Sequence, residues 1–87
     1  MVATVYTTEG AWSATNRFAA SDETPVLVSA PNGTAPVAWT LTGDDAAPLI
    51  APNDANKVIP GGEAQGITMA AGEYLWLAGG GKATIEV

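Results

Sequence analysis

The segment Ile59-Pro60-Gly61-Gly62-Glu63-Ala64-Gln65-Gly66-Ile67-Thr68-Met69-Ala70-Ala71-Gly72-Glu73-Tyr74-Leu75-Trp76-Leu77-Ala78-Gly79-Gly80-Gly81-Lys82-Ala83-Thr84-Ile85-Glu86-Val87 decides the fold class. Short apolar runs alternate with glycine turns along its whole length, the pattern of β-strands rather than helices. In Ala83-Thr84-Ile85-Glu86-Val87, the residues Ala83, Ile85 and Val87 point one way, and Thr84 and Glu86 point to water. Ile67 and Met69 oppose Thr68 in the same manner. Tyr74-Leu75-Trp76-Leu77 is apolar on both faces. Such a run is either a central strand covered on both sides or a strand with one side on a partner. The segment therefore specifies a compact antiparallel module whose hairpins close on glycines, with no flexible tail.

Outward from this segment the same grammar continues. Strands are expected near Ala3–Thr7, Ala11–Thr15, Pro25–Ser29, Val37–Leu41, Asn56–Ile59, Gly66–Met69, Glu73–Leu77 and Ala83–Val87. The breaks fall at Glu9-Gly10, Ala30-Pro31-Asn32-Gly33, Thr42-Gly43-Asp44-Asp45, Pro60-Gly61-Gly62, Ala71-Gly72 and Gly79-Gly80-Gly81. Turn signals every ~8–12 residues mark an all-β fold, a small antiparallel β-sandwich or β-barrel-like module of about seven or eight short strands. Val37, Trp39 and Leu41 share one face, with Ala38 and Thr40 opposite. Trp39 and one other tryptophan belong to the core. Asn16 to Thr24 reads as a loop, or as one helical turn with Ser21 as N-cap. Ala46 to Asp54 holds two prolines and reads as an extended edge or loop. The turns at residues 60–63 and 70–73 are the nearest approach to a repeat and read as closures of successive hairpins.

The chain has 87 residues, one domain spanning 1–87 with no space for a second core. A chain this short buries only about 60–65% of the surface its unfolded form exposes, so small domains commonly add disulfides, metals or partners. With no cysteine and no histidine, disulfides, thiolate or imidazole zinc sites, and Ser-His-Asp or Cys-His catalysis are excluded. Oligomerisation or docking on a larger body is the remaining source of extra stability. Charged residues make up 14% of the chain, against roughly 25% in an average globular protein. The surface is therefore rich in Ala, Thr, Ser, Gly and Asn, a composition suited to contact with other protein. The net charge is −6, and only Arg17, Lys57 and Lys82 are basic. So sparse a set of cations disfavours nucleic acid and anionic membranes. No apolar run is long enough to span a bilayer. Met1-Val2-Ala3-Thr4-Val5-Tyr6 lacks the layout of a secretion signal and reads as a first strand, so the expected place of synthesis is a cytoplasm.

No constellation of catalytic groups emerges. Asp44, Asp45, Asn53 and Asp54 supply oxygen ligands of the type calcium takes, but their spacing fits no EF-hand and turn roles fit them better. A facing carboxylate pair of the glycosidase kind needs a cleft that nothing here promises. Gly79-Gly80-Gly81-Lys82 lacks the spacing, Ser/Thr and helix of a phosphate loop, and reads as a hairpin turn with glycines at positive φ. Asn32-Gly33-Thr34 fits a glycosylation sequon and a turn, and the turn is the better fit. The expectation is a non-enzymatic protein with no catalytic residue, no metal and no cofactor.

The runs Ile59-Pro60-Gly61-Gly62-Glu63 through Ala70-Ala71-Gly72-Glu73-Tyr74-Leu75-Trp76-Leu77 resemble small structural proteins of tailed bacteriophages. Val5-Tyr6-Thr7-Thr8-Glu9-Gly10 with Trp12, and Val37-Ala38-Trp39-Thr40-Leu41, fit the same resemblance. It covers about half of the chain, and it implies a capsid decoration, cement or head-fibre protein of the virion, commonly a trimer. Its partner would then be the major capsid protein or another virion protein, and its mechanism the bridging of neighbouring capsomers with avidity from many copies. The residues expected at a protein interface are Tyr6, Trp12, Arg17 and Phe18, because aromatics and arginine dominate interface centres. The alternatives are a carbohydrate- or host-surface-binding module using exposed Trp12 and Trp76, or a tail connector component.

Overall fold

The computed structural model describes residues 2–33, 35–55 and 57–87. Met1, Thr34 and Asn56 lie outside the described residues, and with them the end of the expected Asn32-Gly33-Thr34 turn and the start of the expected Asn56–Ile59 strand. Among the described residues there are eight strands: β1 (Ala3–Thr7), β2 (Arg17–Ala19), β3 (Thr24–Ser29), β4 (Val37–Thr42), β5 (Val58–Ile59), β6 (Ala64–Met69), β7 (Tyr74–Ala78) and β8 (Lys82–Glu86). They form two antiparallel four-stranded sheets, ordered β1-β8-β3-β6 and β2-β7-β4-β5. The fold is all-β, and of the two forms expected, sandwich or barrel-like module, the two separate sheets make it the sandwich.

The order of pairing shows how the chain gets there. β1 pairs with β8, β2 with β7, β3 with β6 and β4 with β5. The two halves of the chain thus run antiparallel as one long ribbon whose tip is the loop between β4 and β5. Backbone bonds carry the ribbon across its corners. Thr8 N–H donates to Gly81 O (2.9 Å), Ala20 N–H to Glu73 O (3.0 Å) and Ala30 N–H to Glu63 O (2.9 Å). In return Gly72 N–H donates to Ala20 O (2.8 Å) and Gly62 N–H to Ala30 O (2.6 Å). Rolled up so that β8 also meets β3 and β7 also meets β4, the ribbon becomes an eight-stranded jelly roll.

This topology corrects the hairpins expected in Ile59–Val87. β5 and β7 lie in one sheet and β6 and β8 in the other, so each glycine turn is an arch across the core. The turns themselves are real: Glu63 N–H donates to Pro60 O and Glu73 N–H to Ala70 O, both at 3.1 Å. A four-residue turn reads the same in sequence whether its flanking strands pair with each other or separate into two layers. The similarity of residues 60–63 and 70–73 also has a structural sense. Each turn pairs with a buried alanine, Ala30 or Ala20, at the corner of the other arm.

The interior follows the period-2 alternation. Val26, Val28, Ile67, Met69, Ala83 and Ile85 come from the first sheet, and Val37, Trp39, Ile59, Leu75 and Leu77 from the second. Tyr6, Phe18 and Leu41 pack half-buried against this cluster. Pro25 sits on β3 where its missing N–H is harmless, because the β8 ladder reaches only Leu27 to Ser29.

Two expected elements are corrected. Ala11–Thr15 is not a strand; it leads into a short 3-10 helix at Ala14–Asn16, and Ser13 Oγ accepts from Thr15 N–H at 3.3 Å. The second strand is instead Arg17–Ala19, inside the stretch read as a loop or helical turn. Its three residues are too few to show alternation in sequence. Val87 lies past the end of β8 but still exchanges both backbone bonds with Val2, at 2.8 and 2.9 Å.

Candidate interaction surface

The register places Arg17 beside Trp76 and Trp76 beside Thr40, with Ala78 beside Ala38, all facing away from the central cluster. Nevertheless Trp76 is 2% exposed, Ala78 fully buried, and Ala38 and Thr40 buried as well. This outer face is sealed by the chain itself. The 3-10 helix at Ala14–Asn16 packs on β7, and a second one at Pro52–Asp54 packs on β4. The two apolar sides of Tyr74-Leu75-Trp76-Leu77 are thereby explained: Leu75 and Leu77 enter the core, and Trp76 lies under a cover of loops.

Three side chains clasp that cover. Trp12 Nε1 donates to Ile50 O at 2.7 Å. Arg17 Nη1 donates to Asp45 O at 3.1 Å, and its guanidinium lies 4.9 Å from the Tyr74 ring centre and 5.0 Å from that of Trp76. Trp76 Nε1 donates to Thr42 Oγ1 (2.8 Å), which donates to Asp44 O (2.7 Å). Asp44 Oδ1 in turn accepts Ala46 N–H at 3.0 Å, the turn role expected of this residue. Among the described residues no group of three acidic side chains converges to hold a metal ion. Arg17→Ala is expected to cost about 1–2 kcal/mol in urea unfolding and to speed amide exchange in the loop after β4. Arg17→Lys should recover only part of this, since an ammonium cannot stack on two rings.

The four residues expected at an interface therefore do not gather at one place. Trp12 and Arg17 lie on the outer face of the second sheet and are half-buried there. Tyr6 and Phe18 turn inward and pack on the core. Burial raises the Tyr6 phenol above its usual value of 10.0. Because the folded value exceeds the unfolded one, the unfolded chain loses its proton first. The contribution of Tyr6 to stability is fully present below about pH 10 and is lost as the pH climbs from the unfolded value toward the folded one. Tyr6→Phe should flatten that alkaline decline in urea unfolding. Trp76 was an expected exposed aromatic of the carbohydrate-binding alternative, and its burial removes it from that role.

The first sheet is different: its outer face is bare. Val5 is 64% exposed and Leu27 39% exposed. The register sets Leu27 beside Glu86 and Gly66, and Val5 and Ser29 on either side of Thr84. Lys82 and Glu86 are the charges on this face; the remaining positions are small or uncharged. The signal for Leu27 was present in Val26-Leu27-Val28, where the middle residue must point opposite to its neighbours. A second apolar group, Leu49, Ile50 and Val58, is exposed around the loop after β4. It adjoins an open cleft of about 620 Å³ lined by Gly10, Pro36, Ala38, Pro52, Asn53, Val58 and Gly79.

Fold and surface together define a two-layer β-module with one sheet sealed by its own loops and the other sheet bare. Comparison with known protein families, with curated proteins and with solved structures finds no match to this chain.

Proposed function

We propose that the chain is a non-enzymatic structural module that docks onto other protein through the bare face of its first sheet. The phage reading places it on a virion as a capsid decoration or cement protein. The observation that supports this is the low-charge face around Val5 and Leu27, beside a second sheet already covered by its own chain. A sheet face with only two charged side chains, Lys82 and Glu86, loses little hydration when another protein covers it. Jelly rolls serve in viral capsids and in lectins alike, so the fold admits the virion reading and the carbohydrate alternative without choosing between them. The bare face favours the former, since it presents no aromatic ring for a sugar to stack on.

The test is co-sedimentation with capsid shells assembled from the capsid gene of its own locus. Wild-type chain should pellet with the shells, and Leu27→Lys, which sets a cation rather than a second anion beside Glu86, should reduce the bound fraction at least about tenfold with little change in melting temperature. Retention on a glycan column together with no shell binding would replace this reading by the carbohydrate one.

A further inference from the structure

The two sheets treat their edges differently. The second sheet ends in β2 and β5, three and two residues long, with Arg17 within the first and Lys57 just before the second. Short edges with a cation are the usual protection against pairing with another chain. The first sheet ends in β1 and β6, of five and six residues. Neither contains a charge, a proline or a lysine.

Which backbone groups β1 presents follows from its flanks. Val2 exchanges both bonds with Val87, and Thr8 N–H donates to Gly81 O. In an antiparallel ladder the bonded residues alternate, so the even-numbered residues of β1 face β8. The N–H and C=O groups of Ala3, Val5 and Thr7 accordingly point to the open edge. Thr4, on the inner side of the strand, is exposed as well, so among the described residues nothing covers this edge from the second sheet.

We propose that β1 is a homodimerisation edge, pairing antiparallel with β1 of a second copy about a two-fold axis at Val5. Val5 then faces Val5 of the other copy, and Ala3 faces Thr7, with all of these residues carrying outward donors and acceptors. The result is a continuous eight-stranded sheet with two bare faces joined side by side. Charge order fits the same axis. Glu86 lies beside Ala3 and Lys82 beside Thr7 on β8. The two-fold therefore aligns each Glu86 row with a Lys82 row of the other copy, over small residues that let long side chains lean across. β6 is the poorer edge, because Gly66 at its middle offers no side chain to a symmetric partner. The interface is independent of any capsid and leaves Leu27 uncovered.

An edge this short buries less than a standard interface, so association is expected on the order of 100 µM rather than nanomolar. Sedimentation velocity from about 10 µM to about 1 mM should show monomer passing to dimer and no further. Hydrogen exchange by NMR over the same range reads the geometry directly. Amides of Ala3, Val5 and Thr7 should gain protection with concentration, while Thr4 and Tyr6 stay protected throughout. Val5→Pro removes an outward N–H without touching the β8 ladder, and Val5→Lys adds the charge that natural edges use. Either variant should weaken association at least about tenfold. Odd-numbered amides that stay fast at the highest concentration overturn the proposal. So does assembly beyond the dimer, which signals head-to-tail pairing of β1 with β6. So also does a dimer that persists in Val5→Lys, a variant that keeps the fold even if Val5→Pro does not.

Discussion

Trp76→Ala is expected to lose about 3–5 kcal/mol of stability in urea unfolding, a large share of what a domain of this size possesses. The residue is 2% exposed although it faces away from the central core. Its ring carries the Arg17 guanidinium, and its indole N–H starts the chain through Thr42 to Asp44. Truncation leaves a void between β7 and the covering loops and deletes the donor to Thr42. The loop after β4 should loosen as well, giving new proteolytic cleavage near Leu49. Trp76→Phe keeps most of the volume and removes only the N–H, so a loss of about 1 kcal/mol is expected. If Trp76 served an external partner, truncation would instead abolish binding and leave the unfolding midpoint in place. Retention of wild-type stability in Trp76→Ala contradicts the sealed-face description outright.

Gly79→Ala should be more damaging than substitution at Gly80 or Gly66, at about 3 kcal/mol or more. Gly79 has φ +126°, and a Cβ there would run into the carbonyl oxygen of Pro36. Neither partner is free to move, because the Gly79 N–H is bonded to Glu9 O at 2.7 Å and Pro36 immediately precedes β4. Two glycines serve as measures. Gly80 has φ +84° but open space around it, so Gly80→Ala should cost only about 1–2 kcal/mol. Gly66 lies on β6 in open space with ordinary backbone angles, so Gly66→Ala should change stability by less than about 0.5 kcal/mol or raise it. Thermal melts of the three variants test the ranking, and equal losses at Gly79 and Gly80 would show that the Pro36 contact is not limiting.

Strands are legible in the sequence where side-chain alternation runs long enough to be counted. The expected bounds of β1 are the observed ones, and those of β3, β4, β6, β7 and β8 agree within two residues at each end. Of the expected inward sets, Val37, Trp39, Ile67, Met69, Ala83 and Ile85 are buried and Leu41 is half-buried, whereas Val87, past the end of β8, is exposed. Other elements are illegible because their local sequence carries no such information. β2 has three residues and follows a segment whose strand-like composition serves the Trp12 clasp instead. The arches looked like hairpins because Gly62, Gly72 and Gly80 adopt positive φ in either case, and only distant pairing tells one from the other. The site was less legible for a related reason. Tyr6 and Phe18 are aromatic, but their position in the alternation sends them inward, whereas Leu27 is sent outward among buried neighbours. Residue type marks Tyr6 and Phe18 as candidates for an interface, and strand phase decides which side chains reach the surface.

The rolled ribbon has a kinetic corollary. Closing β4 on β5 spans the shortest stretch of chain, whereas joining β1 to β8 directly from a disordered state spans nearly all of it. The loop-closure difference is roughly 1 kcal/mol for the ends alone, and each pairing in between shortens the effective span of the next. The chain should therefore zip from the tip around Leu49 toward Val2 and Val87, with few local contacts to speed the early steps. Folding in milliseconds to seconds is the regime of such topologies. β1 would then be the last strand to dock and the first to fray, keeping its edge exposed whenever the chain is only partly folded.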